Sequence, residues 1–394
     1  MFKATPFEWM LIDAANQFGT GGDKNITSKD KLEFETRVLW GYENLSNLEA
    51  LIEVADKPTA FAKVVFAIRD TQDNIPVGHL VGLDSAASGI QMLSTLTRCV
   101  VGMRNTGVIN SGVCPDIYRT LVEVMSVMDV LRKNAKRALM TYMYSSEAKP
   151  KEVFGENVDL FYQGAIAVAP RACIIRNQGV SAWQPFATDH SWVMPNNCEI
   201  YKRVWVTKDT VIQVPNLNKR SFTFRHKVNQ GTETGRSLIA DITHGIDGFV
   251  VQEMSARCNY NVEALEYKQA LISEYITDTS VTERTQVCSL DVLPEINAEN
   301  IHKYPRNYLA QMLELINRSL EYPAFAILSI HDEFKCHPNN VQRMREAYNR
   351  ILWDFYHSDL LFDIFEQITG QRHTNWPFDP EVAESILTAN YALN

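Results

Sequence analysis

The sequence predicts an α+β protein whose sheet is assembled from segments that lie far apart in the chain. Two short apolar runs, at 78–83 and 324–330, are typical of buried strands. Residues 205–228 alternate as two β runs joined around Pro215, which predicts a β-ribbon. Helical segments separate these runs, and distant strands divided by helices are typical of the α+β class.

The helical segments are recognised by their spacing of apolar residues. Residues 31–70 come first, and the strand at 78–83 follows them. Residues 115–144 contain neither glycine nor proline after Pro115, so we expect one long helix there. Beyond the ribbon the pattern predicts a helical region with a looser middle at 261–322. The second buried strand is predicted at 324–330 and an amphipathic helix at 340–370.

The composition is that of an ordinary globular protein. The chain has 394 residues, 45% of them apolar and 22% charged, which predicts two or three domains. The seven cysteines are scattered without a CxxC pair, so we expect a reducing, cytoplasmic setting rather than disulfides or structural zinc. Neither a signal-peptide pattern nor an 18-residue uncharged apolar run occurs, so no membrane segment is predicted. The net charge of −9 does not suggest a protein that coats nucleic acid.

One segment departs from this acidic average. Between 202 and 227, seven basic residues stand against a single acid, Asp209. Because local patches decide nucleic-acid binding, the segment is a candidate DNA-contacting surface. A solvated charged loop is the alternative. The basic residues are Lys202, Arg203, Lys208, Lys219, Arg220, Arg225 and Lys227.

Two aspartates each follow a predicted strand. Asp84 ends the first apolar run, and Asp332 follows the second, where a hairpin would place it at the tip. Side by side, the two carboxylates would form the oxygen-rich site that Mg²⁺ prefers. The alternatives are a helix N-cap for Asp84 and an ordinary turn for Asp332. A zinc site would lack a fourth ligand at sensible spacing, since it could use only His331, Cys336 and His337.

A stripe of side chains follows the predicted helix at 115–144. Arg132, Lys136, Met140 and Tyr144 succeed one another at i+4 and therefore lie along one face. Two cations one turn apart, with an aromatic hydroxyl two turns on, could clamp a triphosphate and hold the nucleotide against the ring. A surface helix with a basic stripe is the alternative.

In their order along the chain, these features resemble motifs A, B and C of the single-subunit RNA polymerases of T-odd phages and mitochondria. His244-Gly-Ile-Asp247-Gly248 is similar to the H-x-x-D-G segment of that family. The basic segment at 202–227 lies just before it, where the family has its promoter-reading hairpin. The chain's last five residues, 390–394, resemble the family's aromatic tail. The matching motifs are Asp84-x-x-x-Ser88-Gly89-Ile90-Gln91, Arg132-x-x-x-Lys136-x7-Tyr144 and His331-Asp332.

The resemblance implies a right-hand polymerase fold, mostly helical with a small antiparallel palm sheet. Residues 1–100 would form the first part of the palm with motif A, and 101–240 the fingers with motif B and the ribbon. Residues 241–394 would complete the palm with motif C and carry an insertion at 260–322. The implied activity is that of a DNA-directed RNA polymerase, which uses a DNA template and nucleoside triphosphates to extend an RNA transcript.

The resemblance also implies roles for the motif residues. Asp84 and Asp332 would ligate two Mg²⁺ ions, with the backbone carbonyl of Ser85 as a minor ligand. Arg132 and Lys136 would hold the incoming triphosphate, and Lys136 would also protonate the leaving pyrophosphate.

Further residues would surround the nucleotide. Tyr144 would stand at the ribose and help to select ribonucleotides, and His244 would contact the growing end. His331 would orient the metal site from behind. The family also has a lysine that contacts phosphate ahead of motif A, and either Lys31 or Lys24 fits this position.

Several departures from the family pattern are informative. Ser145 follows Tyr144 where the family usually has glycine, which puts the tight turn there in doubt, and Glu333 adds negative charge beside the metals. The family's promoter-binding and thumb regions have no counterpart, so we expect a second subunit to supply them, as in two-chain phage polymerases. The resemblance also implies a possible accessory factor that opens promoters. The implied location is the cytoplasm of a phage-infected cell.

Two alternatives stay open at this point. A related DNA polymerase or primase would share the motif B spacing, but relatives of that type carry an acidic residue where Ser88-Gly89-Ile90-Gln91 follows Asp84 here. A non-catalytic nucleic-acid-binding scaffold that kept the fold is the other alternative. Asp84→Asn and Asp332→Asn would leave the activity of such a scaffold untouched.

Overall fold

The computed structural model describes residues 1–21, 27–126 and 130–394 of the chain. It confirms the α+β class, because helices surround three small antiparallel sheets. Within the described residues, no single helix is long and apolar enough to cross a membrane, although Ala148–Val168 and Pro170–Ser181 meet these criteria as a pair bent by 111°. The strands are β1 (Val81–Asp84), β2 (Asp189–Val193), β3 (Glu199–Arg203), β4 (Trp205–Val214), β5 (Arg220–Asn229), β6 (Ile327–Ile330) and β7 (Glu333–Cys336).

The helices form the bulk of the structure, and short 3-10 turns connect several of them. They are α1 (Pro6–Phe18), α2 (Phe34–Asn44), α3 (Pro58–Gln72), α4 (Ser88–Leu96), α5 (Val100–Asn105), α6 (Ile117–Met125), α7 (Arg132–Met143), α8 (Ala148–Phe154), α9 (Val158–Val168), α10 (Pro170–Ser181), α11 (Leu238–Cys258), α12 (Val262–Tyr275), α13 (Arg306–Leu320), α14 (Val341–His357), α15 (Leu360–Thr369) and α16 (Pro380–Leu387).

The three-stranded sheet joins the two distant apolar runs, as the sequence predicts. The expectation that the second run is a buried strand is wrong, because β6 lies at the edge of the sheet and exposes Leu328 and Ile330. Its order is β1-β7-β6, with both pairs antiparallel. β6 and β7 form a hairpin whose turn consists of His331 and Asp332, so Asp332 lies at the tip. His331 takes a φ of 56°, a left-handed conformation that histidine adopts more readily than most residues.

The expectation of one long helix over 115–144 is wrong. The segment contains α6 and α7, and α6 ends at Ser126, which has a φ of 51°. The Ser126 hydroxyl donates to the Glu123 carbonyl at 2.9 Å, which helps to cap the end of α6. The region at 31–70 is likewise divided, into α2 and α3, and that at 340–370 into α14 and α15.

Two separate hydrophobic cores organise the chain. The larger one packs α1, α4, α11 and α14 around the three-stranded sheet. The smaller one lies within the predicted insertion, between α12 and α13 and the 3-10 turns that separate them. Arg257 lies close to the junction, and its guanidinium donates to Glu253 at 2.8 Å and to Asp354 at 2.7 Å. The buried Glu253 also accepts from Ser289 at 2.6 Å, so a buried polar network joins α11 and α14 to the loop that enters the smaller core.

The end of the chain extends the sheet. The backbone N–H of Asn394 donates to the Asp84 carbonyl at 2.9 Å, and the Asp84 N–H donates to the Asn394 carbonyl at 3.0 Å. Three residues earlier, the Tyr391 ring stacks on Phe34 with centroids 5.1 Å apart. The tail therefore covers the outer edge of β1 and lies beside the first aspartate.

Candidate functional site

A cleft of about 390 Å³ opens where the three-stranded sheet ends against α6 and α7. Its walls come from positions between 16 and 394, so only the tertiary fold assembles them. Eight residues to which the family resemblance assigns a role line this cleft, namely Lys31, Asp84, Ser85, Arg132, Lys136, Tyr144, His331 and Asp332.

The two aspartates lie on adjoining backbone segments. The Ser85 N–H, next to Asp84, donates to the Asp332 carbonyl at 3.1 Å, and Asp84 pairs in register with Glu333. Asp84 does not cap a helix, because α4 begins four residues later behind Ala87, which takes a left-handed φ of 59°. The interpretation of Asp84 as an N-cap is therefore wrong, and its carboxylate is free to face the cleft.

Negative charge accumulates at this end of the cleft. Burial and the nearby Asp332 and Glu333 raise the pKa of Asp84 to about 6, against a smaller opposing effect of Lys136 and Lys31. Burial and Asp332 also raise the pKa of Asp247 to about 7, although a hydrogen bond from Ser88 opposes the shift. Carboxylates that resist ionisation because they repel one another are typical of a site that binds a cation.

The donor set suits Mg²⁺ better than a metal that needs a complete protein cage. Among the described residues, no group of three or more His, Cys, Asp or Glu side chains has the geometry of a metal site. Mg²⁺ commonly uses one or two carboxylates and completes its coordination with water and substrate phosphates. Asp84 and Asp332, with the adjacent Ser85 backbone, fit that requirement.

Glu333 lines the same cleft and forms an ion pair there. Its carboxylate pairs with Lys335 at 3.0 Å on the same face of β7. It lies over Gly82, where an added Cβ would stand only 2.5 Å from the Glu333 Oε1 atom. The extra negative charge that the sequence places beside the site is thus partly compensated, and Gly82 leaves the space for this arrangement.

The opposite wall of the cleft carries the cations and Tyr144. α7 presents Arg132 and Lys136 in its first turns, and Tyr144 directly follows its last residue. The Tyr144 ring packs edge-on against His244 with centroids 5.1 Å apart. Ser145 takes a φ of 67°, so the tight turn forms with serine in the conformation that favours glycine.

The remaining predicted residues are less central. Lys31 lines the cleft and pairs with Asp30 at 2.8 Å. Lys24, its alternative, lies outside the described residues. His244 does not line the cleft itself, but its ring contacts Tyr144, which does.

Two residues that the sequence interpretation missed also line the cleft. Asp116 forms an ion pair with Arg132, and the Tyr118 ring lies beneath both Arg132 and Lys136. An aspartate directly before a helical pattern is a recognisable N-cap signal, so Asp116 could have been identified as a cap. Its contact with Arg132 could not have been identified, because the sequence predicted one continuous helix over 115–144.

The basic segment is divided between two sheets. Lys219, Arg220, Arg225 and Lys227 belong to the β4–β5 ribbon or its turn. Lys202 and Arg203 instead lie on β3, which pairs with β2, so the expectation of one basic ribbon over 202–227 is wrong for these two. Val204 separates β3 from β4, and its buried side chain anchors the corner.

The ribbon has two different faces, because side chains alternate along each strand. One face, called here the aromatic face, consists of the exposed Lys208, Ile212, Arg220, Phe222 and Phe224 with the half-buried His226. Its Phe224 and His226 rings stack with centroids 5.3 Å apart. The other face is more polar, and there Arg225 donates twice to Asp209, at 2.8 and 3.0 Å.

The fold and the cleft thus define a class of protein: an α+β protein with a carboxylate pair at the end of a sheet and a cationic helix opposite. Comparison with known proteins adds no closer assignment. No protein-family model matches the sequence, and no curated protein is similar enough to count as a relative.

Proposed function

We propose that this chain is the catalytic subunit of a DNA-directed RNA polymerase of the right-hand type. In this proposal the three-stranded sheet is the palm, and α6 and α7 belong to the fingers. The observation that carries it is the placement of Asp84 and Asp332 on hydrogen-bonded segments, across one cleft from Arg132 and Lys136. Acids that hold a metal and bases that hold phosphate, facing each other, suit phosphoryl transfer.

The proposed reaction divides the work between the two walls. Asp84 and Asp332 would hold two Mg²⁺ ions, which when bound would activate the attacking 3′-hydroxyl and stabilise the leaving pyrophosphate. Arg132 and Lys136 bind the triphosphate and neutralise the charge that develops on it. Lys136 also donates a proton to the leaving pyrophosphate.

The surroundings of Tyr144 support ribonucleotides as the substrate. A Cβ added at Gly89 would stand 3.1 Å from the Tyr144 hydroxyl oxygen and 3.0 Å from a methyl group of Thr243. Gly89 therefore keeps space open next to the Tyr144 hydroxyl. That space suits a ribose 2′-hydroxyl. In the related DNA polymerases, the acidic residue would fill the space instead.

Exposed apolar side chains support a second polymerase subunit as partner. Near the amino terminus, large apolar side chains are 47–61% exposed on α2, on α3 and beside them, at Leu39, Tyr42, Val54, Phe66 and Ile75. In this proposal the second subunit covers these side chains, because partner surfaces commonly bury exposed apolar groups. The proposal therefore describes a heterodimer that acts on DNA in the cytoplasm of a phage-infected cell, with an accessory factor that opens promoters.

The test is RNA extension on a preformed RNA–DNA scaffold with Mg²⁺ and nucleoside triphosphates. The chain is assayed alone and together with candidate second subunits. We expect extension that requires the partner and falls by at least about 10³-fold in Asp332→Asn, because one metal-binding carboxylate is lost. Asp209→Asn makes the same chemical change on the exposed ribbon and should extend RNA normally.

Three results would contradict parts of the proposal. Full extension by Asp332→Asn would favour a scaffold whose metal site is unused. Equal use of deoxyribonucleotides by the wild type would favour a DNA polymerase or primase, in which case Tyr144→Phe should not alter sugar selection. Full activity of the isolated monomer would remove the need for a second subunit.

A further inference from the structure

Asp116 links the start of one helix to the start of another. Its Oδ1 atom accepts from the backbone N–H groups of Tyr118 and Arg119 at 3.2 and 3.3 Å, which caps α6. Its Oδ2 atom accepts from Nε of Arg132, the first residue of α7. The Asp116 side chain is only 10% exposed, so its position is fixed by the fold.

The Tyr118 ring contacts Arg132 and also the second cation of α7, Lys136. The Arg132 guanidinium carbon lies 5.3 Å from the centre of the Tyr118 ring, and the Lys136 Nζ atom lies 5.7 Å from it. Tyr118 is buried, with only 5% of its surface exposed. Cations within about 6 Å of an aromatic face are attracted to it, so one immobile ring holds both.

This arrangement leaves the outer part of Arg132 available to a ligand. Asp116 uses only the Nε atom, and the described residues provide no hydrogen-bond acceptor for the terminal Nη groups. A guanidinium fork recognises phosphate through two parallel hydrogen bonds. Meanwhile the backbone N–H groups at the start of α6 already compensate the Asp116 carboxylate, which limits its repulsion of an anion.

We propose that Asp116 and Tyr118 are positioning residues that hold Arg132 and Lys136 ready for a triphosphate before it enters the cleft. As a statement about nucleotides this rests on the proposed function. The anion site itself does not, since it needs only the four side chains. Neither residue touches the reacting atoms, so both act through the two cations.

The experiment measures binding of inorganic triphosphate by calorimetry in the full-length chain. Asp116→Asn keeps the helix cap, because asparagine is an equally good N-cap, but it loses the charge that holds Arg132. We expect its dissociation constant to rise about tenfold, the equivalent of one hydrogen bond to a charged group. In the extension assay the KM for nucleotide should rise by a similar factor, while kcat changes less than about twofold.

A matched control comes from the other end of the chain. Asp379 caps α16 through the same two backbone contacts, at 2.9 and 3.4 Å, and does not line the cleft. Asp379→Asn should therefore leave triphosphate binding and KM unchanged. At Tyr118, phenylalanine keeps the ring and leucine removes it, so Tyr118→Phe should lose less affinity than Tyr118→Leu.

Several results would overturn this inference. Unchanged or tighter triphosphate binding in Asp116→Asn would make Asp116 a competitor of the ligand rather than a positioning residue. No binding by the wild type, or equal losses in the two Tyr118 variants, would also refute it. If Asp116→Asn does not fold, the Tyr118 pair decides. A wild type that binds triphosphate but extends no RNA with any candidate second subunit would refute the proposed function and leave the anion site standing.

Discussion

The cleft and the β4–β5 ribbon both carry charges, but the fold treats them in opposite ways. In the cleft and beside it, like charges are brought together and partly buried, and burial and repulsion raise the pKa of Asp84 to about 6 and of the neighbouring Asp247 to about 7. On the ribbon, the ionic groups are exposed, and Asp209 and Arg225 simply pair across the strands. The difference teaches that the cleft is held under electrostatic strain by the surrounding core, whereas the ribbon presents its groups without strain.

The largest expected effect concerns the ribbon's aromatic face. Replacing both Phe222 and Phe224 by alanine should weaken binding of a single-stranded DNA oligomer about 10- to 100-fold, because stacking of a base contributes about 1–3 kcal/mol. Fluorescence anisotropy at fixed salt measures the change. Val211→Ala with Thr223→Ala, on the opposite face, is the matched control. Equal losses in both double variants would break the distinction between the two faces.

The second prediction tests the electrostatic strain beside the cleft, at Asp247. The pKa of Asp247 is higher in the folded chain than the usual 3.8, so the folded state binds this proton more tightly. The stability that protonation contributes is present at low pH and is lost as pH rises through about 7. Asp247→Asn removes the charge, and at pH 8 without divalent metal it should raise the free energy of unfolding by about 2 kcal/mol. This is roughly half of the free energy that corresponds to a pKa difference of about three, because solvent screens part of the effect.

Urea unfolding at pH 5 and pH 8 checks this prediction. The gain should be clearly smaller at pH 5, where much of the wild-type Asp247 is protonated. Asp209→Asn on the ribbon should show no gain at pH 8, because Arg225 stabilises that carboxylate in its charged form. A gain in Asp247→Asn that does not depend on pH would mean that packing rather than charge is responsible.

The smallest effects should distinguish free from paired cations outside the cleft. Arg220→Gln on the aromatic face is expected to weaken DNA binding a few-fold at low salt and to reduce the salt dependence by about one phosphate contact. Lys202→Gln should change DNA binding little, since Lys202 donates to Asp241 at 3.0 Å. A larger loss in Lys202→Gln than in Arg220→Gln would place the DNA on the β2–β3 sheet instead.

The sequence by itself determined the local structure around the proposed chemistry. Apolar runs that end on Asp84 and before Asp332 identified the strands, and alternation around Pro215 identified the ribbon. These signals are local, because strand and ribbon patterns depend on neighbours a few residues away. The spacing of Arg132 and Lys136 held for the same reason, since both lie within a single helix.

The tertiary structure decided what no local pattern can express. In the folded chain the Asp84 and Asp332 segments are hydrogen-bonded to each other, and Asn394 lies beside Asp84. Lys202 lies on β3 rather than on the ribbon, and α6 ends at Ser126. That break between α6 and α7 lets Asp116 reach Arg132. Each of these features depends on contacts between residues far apart in sequence, whose free energies are set by packing and burial, so the pattern of one segment carries no record of them.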